Sequence, residues 1–361
     1  MILTAKSYNT NGEAICVKDN KVFYVPGLIR GEEAECIIEF EKEKWGRAQI
    51  KEIIKKSPNR NEDVPDKHLE IGGYEIFHMN REEQTWFKNQ LVIDAFKNNA
   101  KENIELEKMF VGKKQLRYRN KITLHNGGFH KRKTNEVIKL DDFLITDIKP
   151  KTSKSGEVII RKLDTTISGH KGDKKFTTDT MLDIEFIVGL NAFYQVNKEV
   201  AEAVYSKMMK FLDKNEVVFD LYSGIGTITL IAAKKSKHVY GIERNKASFN
   251  SAILNQEKND VKNITLLNQD VSKFLKKNKE IKSDTFIVDP AREGLGKETC
   301  ELIKEYLPKK IIYLSCNPGT QAADFNRLKE NYEITYAQPF DMFPQTHHIE
   351  NLIILNKKTS K

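Results

Sequence analysis

The sequence predicts an α/β protein in three parts: an amino-terminal small β-barrel, a β-rich central domain and a carboxyl-terminal doubly wound parallel sheet. Its 361 residues exceed what one hydrophobic core usually serves. Short strand-like segments fill the start of the chain, and strand and helix patterns alternate after about residue 197. We place the three domains at residues 1–57, 58–190 and 191–361.

The first domain contains short alternating segments with turn residues between them, as at Asn9–Gly12 and Pro26–Gly27. The predicted strands are Ile2–Ser7, Glu13–Lys18, Lys21–Val25, Ala34–Glu39 and Ala48–Ile54. So few residues protect their sheet edges best by closing into a barrel. Small barrels of this type often bind single-stranded RNA or DNA, and a barrel that serves only as a scaffold is the alternative.

The central domain begins with a predicted helix over residues 81–98 and then becomes β-rich from about Gln115 to Val188. The helix has an apolar face that could pack on the catalytic domain. Three basic loops follow, at His130–Lys133, Lys149–Lys154 and Lys171–Lys175. Such runs are usually solvated surface, but beside a barrel of this type they favour contacts with phosphates.

The carboxyl-terminal domain alternates strands with helices, which is typical of a doubly wound parallel sheet. The predicted strands are Val217–Tyr222, Val239–Glu243, Asn263–Asn268, Thr285–Asp289 and Lys310–Ser315, with helices around Thr229–Ala233 and from Lys246 to Lys258. Two last strands, Ile334–Gln338 and Asn351–Leu355, resemble a hairpin and would add antiparallel pairing at the edge of the sheet.

Composition limits the class of protein and its partners. The net charge of +9 and a pI near 9.0 suggest a polyanionic partner, although a lysine-biased genome would give the same balance.

Four cysteines without a CxxC pair predict no metal site, and with no signal peptide they predict a reduced, cytoplasmic protein. No run of about 18 uncharged apolar residues predicts a membrane helix. We expect a monomer.

A nucleotide-type cofactor site is predicted at the first strand-to-helix turn of the last domain. Gly224 and Gly226 allow close approach of a ligand to the backbone, and Glu243 can accept hydrogen bonds from ribose hydroxyls. NAD and S-adenosylmethionine both use this arrangement. The acid that opens the loop, Asp220, and the absence of a third glycine at Thr229 favour S-adenosylmethionine, which has no phosphate to bind.

Three further segments lie where ligand sites occur in such sheets, after the carboxyl ends of strands: Asp289–Gly294, Ser315–Thr320 and Phe340–Glu350. Cys316, at a strand end and followed by Asn-Pro, stands in a plausible position for a nucleophile. The other thiols lie in a helix or in barrel strands, where small buried cysteines are common. Their positions are Cys300, Cys16 and Cys36.

These segments resemble the RNA uracil-5-methyltransferase family, which includes enzymes for 23S rRNA and for the tRNA T-loop. The matching motifs occur in the family's order along most of the chain. They are Arg119–Lys121, Phe193–Asn197, Asp220–Gly226, Asp289–Gly294, Ser315–Pro318 and Asp341–Glu350. The amino-terminal barrel is similar to a TRAM domain, an RNA-binding module that accompanies the rRNA enzymes and is absent from the bacterial tRNA enzyme.

The resemblance implies methylation of uridine C5 in 23S rRNA with S-adenosylmethionine as cofactor; the alternative is a tRNA T-loop uridine. It implies Cys316 as the nucleophile, which forms a covalent bond to uracil C6, and Glu350 as the general base. The implied cofactor-binding residues are Gln195, Tyr222, Glu243 and Asp289. Arg292 could activate the thiol or contact RNA, and Tyr194 could stack on a uracil flipped out of the RNA.

The sequence departs from the family at a place where many members with a TRAM domain hold a four-iron cluster. The family's cysteines there match the stretch Val64–Tyr74 and position 143, where this chain has Ile71, Tyr74 and Phe143. We therefore predict no iron–sulfur cluster. Two other classes of function fit the sequence less well: a noncatalytic RNA-binding protein, which Cys316 and Glu350 disfavour, and a NAD-dependent oxidoreductase, which Thr229 disfavours.

Overall fold

The computed structural model describes residues 1–132 and 134–359, so Lys133 of the first basic loop and the last two residues lie outside the described part. The chain divides into two compact units. The first comprises residues 1–91, 130–138 and 343–347, and the second comprises residues 92–129, 139–342 and 348–361. In the described part of the chain, no helix is both long and apolar enough to cross a lipid bilayer.

Five strands of the first unit close into a barrel, as the sequence predicted, in the order β1-β2-β3-β5-β4. They are β1 (Ile2–Tyr8), β2 (Ala14–Lys18), β3 (Lys21–Val25), β4 (Glu33–Glu41) and β5 (Trp45–Lys55). β4 closes the barrel by pairing with β1. Alternate side chains point inward and form a core that includes Phe23, Cys16 and Cys36, so these two thiols are structural.

Helices α1 (Asp66–Leu69) and α2 (Arg81–Ala95) follow the barrel. Ile71 and Tyr74, at the family's cluster positions, are buried in the first unit, and Tyr74 lies against the rings of His68 and Phe77. In the described ranges, no group of three or more His, Cys, Asp or Glu side chains could hold a metal ion.

The second unit contains three sheets beside the end of α2, which continues into a π-helical turn at Phe96–Ala100. A three-stranded sheet has the order β10-β9-β6, and a two-stranded sheet pairs β11 with β12. The strands of the central region are β6 (Lys121–His125), β7 (Phe129–His130), β8 (Val137–Ile138), β9 (Glu157–Lys162), β10 (Thr166–Gly169), β11 (Phe176–Met181) and β12 (Ile184–Gly189). The β-rich character predicted for this region is confirmed.

The third sheet is the predicted doubly wound one, with seven strands in the order β15-β14-β13-β16-β17-β19-β18. They are β13 (Val217–Leu221), β14 (His238–Ile242), β15 (Ile264–Leu267), β16 (Thr285–Val288), β17 (Lys310–Ser315), β18 (Tyr332–Phe340) and β19 (Glu350–Lys357). The first five pair in parallel. β19 pairs antiparallel with both β17 and β18, so the last strand inserts between them.

Six helices connect or cover these strands. They are α3 (Lys198–Met209), α4 (Thr227–Ala233), α5 (Lys246–Lys258), α6 (Val271–Lys277), α7 (Gly296–Tyr306) and α8 (Pro318–Leu328). Apolar side chains of the strands, such as Phe219 and Phe286, stack in the core beneath the helices. Parallel strands bring their carboxyl ends to one edge, so the loops after β13, β14, β16 and β17 meet there.

Candidate active site

The turn after β13 is shaped by residues with a left-handed backbone. Tyr222, Gly224 and Gly226 have φ values of 75°, 57° and 84°. A side chain at Gly226 would begin 2.8 Å from Leu230, whereas the space beside Gly224 is open. Gly226 is therefore needed for helix packing, and Gly224 leaves the backbone open to a ligand.

Asp220 lies in β13 immediately before this turn and is 1% exposed. Thr229, where a third glycine was absent from the sequence pattern, donates a hydrogen bond of 2.5 Å from Oγ1 to Asp220 Oδ2. Asp220 Oδ1 and the Ser223 hydroxyl are buried without a hydrogen-bond partner. Burial raises the pKa of Asp220 to about 7, with a further contribution from the charge of Glu243.

Glu243 follows β14, and its carboxylate is held by backbone amides. Oε2 accepts a hydrogen bond of 2.9 Å from Gly224 N, and Oε1 accepts one of 2.5 Å from Asn245 N. These bonds fix the carboxylate beside the glycine turn. A carboxylate so placed can accept hydrogen bonds from the hydroxyls of a ribose, and this role of Glu243 stays a prediction.

Cys316, Glu350 and Asp289 lie after β17, at the start of β19 and after β16. Cys316 is partly buried, and Glu350 is 3% exposed with its Oε2 atom unpartnered. Burial, together with the negative charges of Glu350 and Asp289, raises the pKa of the Cys316 thiol to about 12. The same burial, together with Asp289, raises the pKa of Glu350. Ser315 of β17 pairs with Asn351 of the antiparallel β19, so Cys316 and Glu350 are the next residues at that end of the two strands.

Arg292 connects two of the loops at this edge. Its backbone carbonyl accepts hydrogen bonds of 3.0 Å from Asn317 Nδ2 and from Thr320 Oγ1. Its guanidinium Nη2 atom lies 3.4 Å from His348 Nδ1. The positive charge of Arg292 lowers the pKa of both Cys316 and Glu350, against the larger effect of burial. The charge of Arg292 therefore acts against the effect of burial on both groups.

Gln195 and the helix α3 complete the site. Gln195 is 4% exposed and its side chain hydrogen-bonds Tyr205, a buried α3 residue. Burial and then the charges of Asp289, Glu350 and Asp220 raise the pKa of Tyr205. Sequence reasoning missed Tyr205, because one tyrosine on the buried face of a helix gives no signal that separates it from core packing.

The aromatic residues before Gln195 differ from the prediction. Tyr194, expected as a platform for stacking, is 3% exposed and donates a hydrogen bond of 2.8 Å to Asp179 Oδ2. Its buried ring cannot stack on a base. Phe193 is instead 73% exposed. Alternation in an extended segment turns one neighbour inward and the other outward, and the sequence did not decide which.

Five of the six predicted site residues take part in the hydrogen bonds or charge interactions described above. Tyr222 differs: burial raises the pKa of its hydroxyl, which hydrogen-bonds the Thr299 side chain and packs against the core. Tyr222 contributes the positive-φ backbone of the turn. Cys300, the other thiol in this unit, is buried and lies 3.7 Å from Asp324 Oδ1. Cys316 is thus the partly exposed thiol among the four.

The residues present fit a nucleoside cofactor with a hydroxyl-bearing ribose and a cationic centre. The unpartnered oxygen of Asp220 and the Ser223 hydroxyl lie beside an open glycine backbone. Glu243 supplies further acceptors. A donor set of carboxylates and hydroxyls suits a cationic ligand, whereas a pyrophosphate would meet repulsion here.

The sequence is similar to those of known RNA methyltransferases. The sequence model of the family described as tRNA (uracil-5-)-methyltransferase matches residues 182–358. An uncharacterized RNA methyltransferase of Mycoplasma mobile is 50% identical over 351 residues, covering 97% of this chain and 96% of its own length. Another from Clostridium tetani is 29% identical over 431 residues, covering 96% and 94%.

One solved structure is similar over nearly the whole chain. The tRNA (uracil-54, C5)-methyltransferase of Pyrococcus abyssi, in complex with S-adenosyl-L-homocysteine, superposes with a TM-score of 0.74 at 21% identity. The match covers 98% of this chain and 100% of that one. The two proteins share a fold.

Proposed function

The chain belongs to the S-adenosylmethionine-dependent RNA uracil-5-methyltransferase family, and from that premise we propose that it methylates uridine C5 in 23S rRNA. The observation that supports the proposal is the antiparallel pairing of Ser315 with Asn351, because Cys316 and Glu350 are the next residues at that end of β17 and β19. The cofactor brings an electrophilic methyl group. The described side chains supply a nucleophile and a base, which are the two functions that methylation at C5 requires.

Cys316 is proposed to activate the uracil ring. Its sulfur forms a bond to C6, and the electron pair of the C5–C6 double bond moves to C5 and O4, which makes C5 nucleophilic. The pKa of the thiol is raised to about 12, first by burial, so the sulfur is protonated in the free enzyme at neutral pH. As the sulfur adds, its proton passes to solvent, which the partly exposed Cys316 can reach, and the nearby charge of Arg292 favours that loss.

Glu350 is proposed to complete the reaction. After methylation, C5 carries both the new methyl group and its original proton. Glu350 removes that proton, the electron pair re-forms the C5–C6 double bond, and the sulfur leaves C6 as a thiolate. Burial raises the pKa of Glu350, which makes it a stronger proton acceptor than an exposed glutamate once it is ionised.

The cofactor would be held by the glycine turn and the carboxylates around it. Glu243 accepts from ribose hydroxyls, while Asp289 and Gln195 line the side of the site that faces Cys316 and Glu350. Tyr222 shapes the turn through its backbone. Binding holds the cofactor, the base and the thiol in a fixed arrangement. This is its main contribution to the reaction rate, because the reacting groups then need no further ordering.

The target uracil must leave its stack to reach Cys316, since a base within a helix does not expose C5 and C6. Phe193, 73% exposed and two residues before Gln195, is proposed to stack on the RNA at the entrance. The barrel and the basic loops of the central domain are proposed to bind flanking RNA, with residues 1–57, 58–190 and 191–361 acting as two RNA-binding domains and one catalytic domain.

A tRNA target is the second candidate. The solved structure from Pyrococcus abyssi is named as a tRNA methyltransferase. Its match covers 98% of this chain, which includes the barrel. A barrel is therefore compatible with either substrate. The likeness to a TRAM domain, which accompanies the rRNA enzymes, favours 23S rRNA. We also propose a cytoplasmic, monomeric enzyme.

The two substrates are separated by mapping 5-methyluridine in rRNA and tRNA from cells with and without the gene. We expect one or more positions in 23S rRNA to lose the modification and tRNA to keep its pattern. The purified enzyme should then restore it on unmodified 23S rRNA with S-adenosylmethionine. Loss confined to the tRNA T-loop would support the tRNA candidate, and an unchanged pattern in both would refute the proposed function.

A further inference from the structure

A cavity of about 750 Å³ lies within the first unit, against the outside of the barrel. Residues from the barrel, from the segment after it and from the basic loop at 130–138 line it together. Its volume is within the range of sites that hold one small organic ligand. Nothing in the proposed catalytic reaction uses this cavity.

Two residues of the cavity wall each carry a buried polar atom for which the described residues provide no hydrogen-bond partner. His78 lines the cavity and is 5% exposed, and its Nε2 atom is unpartnered. Glu75, also in the wall, uses Oε1 to accept a hydrogen bond of 3.1 Å from Gly73 N, while its buried Oε2 has no partner. A buried polar atom without a partner is costly, and a ligand that hydrogen-bonds to it removes that cost.

His78 is an uncharged imidazole at neutral pH. Burial, together with the charges of Arg60 and Arg132, lowers the pKa of His78 to about 3. A neutral imidazole has one nitrogen that donates and one that accepts. Beside the Glu75 carboxylate, the wall therefore offers hydrogen bonds of the kind that the polar edge of a base or a ribose hydroxyl requires.

Most of the positive charges around the cavity are already neutralised. Arg60 forms an ion pair with Glu32, and Lys131 forms one of 2.8 Å with Glu70. Arg132, from the same basic loop, also lines the cavity, and its exposed side chain forms no ion pair within the part of the chain that the structure describes. Arg132 is thus the cation in the wall that remains available for a phosphate.

We propose that this cavity binds one nucleotide of a single-stranded segment of the RNA substrate, with Arg132 at a phosphate and Glu75 and His78 at polar groups of the base or ribose. The proposal rests on the proposed function, because it takes the RNA substrate as the source of the nucleotide. It assigns a use to the basic loop and to the two unpartnered atoms that packing alone leaves unexplained.

The test measures binding of a fluorescent single-stranded RNA of about 12 nucleotides, a length that one small barrel can cover, by anisotropy over a series of salt concentrations. Arg132→Gln should raise the Kd about tenfold. The slope of log Kd against log salt concentration should fall by about one, because one phosphate contact is lost. Lys51→Gln removes an exposed barrel lysine that does not line the cavity, and should change the Kd by less than about twofold.

A second pair of variants separates the cavity from general attraction between charges. Leu69 lines the cavity, so Leu69→Trp fills it without removing a charge. It should raise the Kd about tenfold and leave the salt slope unchanged, whereas Leu69→Ala, which leaves the space open, should bind nearly as the parent does. Circular dichroism and the melting temperature verify that all four variants are folded.

The outcomes are distinct for the two proposals. If the parent binds and methylates RNA but Leu69→Trp and Arg132→Gln bind it as tightly as the parent, the cavity proposal is wrong and the proposed function stands. Equal losses of RNA affinity in Leu69→Trp and Leu69→Ala would also overturn the cavity proposal. Such losses would mean that Leu69 matters for the packing of α1 and not for the open space of the cavity. A parent that neither binds nor methylates RNA contradicts the proposed function, and the cavity proposal with it.

Discussion

Glu243 and Glu350 carry the same side chain at the same edge of the seven-stranded sheet, and their surroundings differ. Glu243 is partly exposed, and both carboxylate oxygens accept backbone hydrogen bonds, from Gly224 and Asn245. Glu350 is 3% exposed, and its Oε2 atom has no partner. A carboxylate held by fixed donors at both oxygens suits binding, whereas a buried carboxylate oxygen that no described donor holds suits proton transfer.

The largest expected effect comes from the glutamate that we assign to proton transfer. Glu350→Gln keeps the size of the side chain but cannot accept the C5 proton, so turnover should fall about 10³-fold. A single methyl transfer should still occur, leaving methylated RNA covalently attached to the protein. Quench-flow with radiolabelled cofactor and a denaturing gel measures both quantities.

Glu333→Gln is the matched control, because Glu333 is an exposed glutamate on the neighbouring strand β18. It should turn over like the parent. Release of product from Glu350→Gln at the parent's rate would remove Glu350 from its role and would erase the functional difference between the two glutamates.

A smaller effect is expected for the glutamate that we assign to binding. Glu243→Gln replaces a charged acceptor by a neutral amide, and a hydrogen bond to a charged group is worth about 1.5–3 kcal/mol. The Kd for S-adenosylmethionine, measured by calorimetry, should therefore rise at least about tenfold. The rate of the chemical step at saturating cofactor should change little.

The control for this prediction is Glu257→Gln, which changes an exposed glutamate of α5. Its affinity for the cofactor should equal the parent's. If Glu243→Gln instead lowered the single-turnover rate at saturating cofactor with no change in affinity, the division between a binding and a reacting glutamate would be wrong.

The last prediction concerns stability. It extends the comparison of Glu243 and Glu350 to a third carboxyl group, that of Asp220. Burial raises the pKa of Asp220 to about 7. Between about pH 4 and 7 the folded protein keeps a proton that the unfolded chain releases, so this group's contribution to the free energy of unfolding falls as the pH rises. Asp220→Asn has no such proton. Relative to the parent, it should gain about 2 kcal/mol of stability between pH 5 and pH 8.

Urea unfolding at both pH values measures this difference. Asp141→Asn is the control, because the Asp141 side chain is fully exposed and should give no dependence on pH relative to the parent. A difference between Asp220→Asn and the parent that is the same at pH 5 and pH 8 would mean that burial does not hold a proton on Asp220.

The fold could be predicted from the sequence because its signals are local. Period-two patterns predicted the barrel strands, and alternating strands and helices predicted the sheet; α5 and β17 begin and end where expected. The contribution of residues 130–138 to the first unit has no such signal, since it depends on contacts distant in sequence. The insertion of β19 between β17 and β18 likewise depends on contacts between residues that are distant in sequence.

The site was predictable only as far as its motifs extend. The positions of Cys316, Asp289 and Glu243 after strands followed from parallel topology, whereas Glu350 is the first residue of the antiparallel strand β19. The pKa effects among them depend on distances and burial, which a sequence does not contain. Tyr205 was missed, and Tyr194 was assigned to the surface although it is buried, because a lone tyrosine gives no local signal for either role.

The central claim is that the sulfur of Cys316 bonds to uracil C6 next to the methyl donor. RNA that carries 5-fluorouridine at the target tests it, because the fluorine at C5 cannot be removed as a proton and the adduct is trapped. The account predicts a cofactor-dependent covalent complex with the parent and with Cys300→Ser, and none with Cys316→Ser. A complex formed by Cys316→Ser, or one attached to a peptide that lacks position 316, would contradict it.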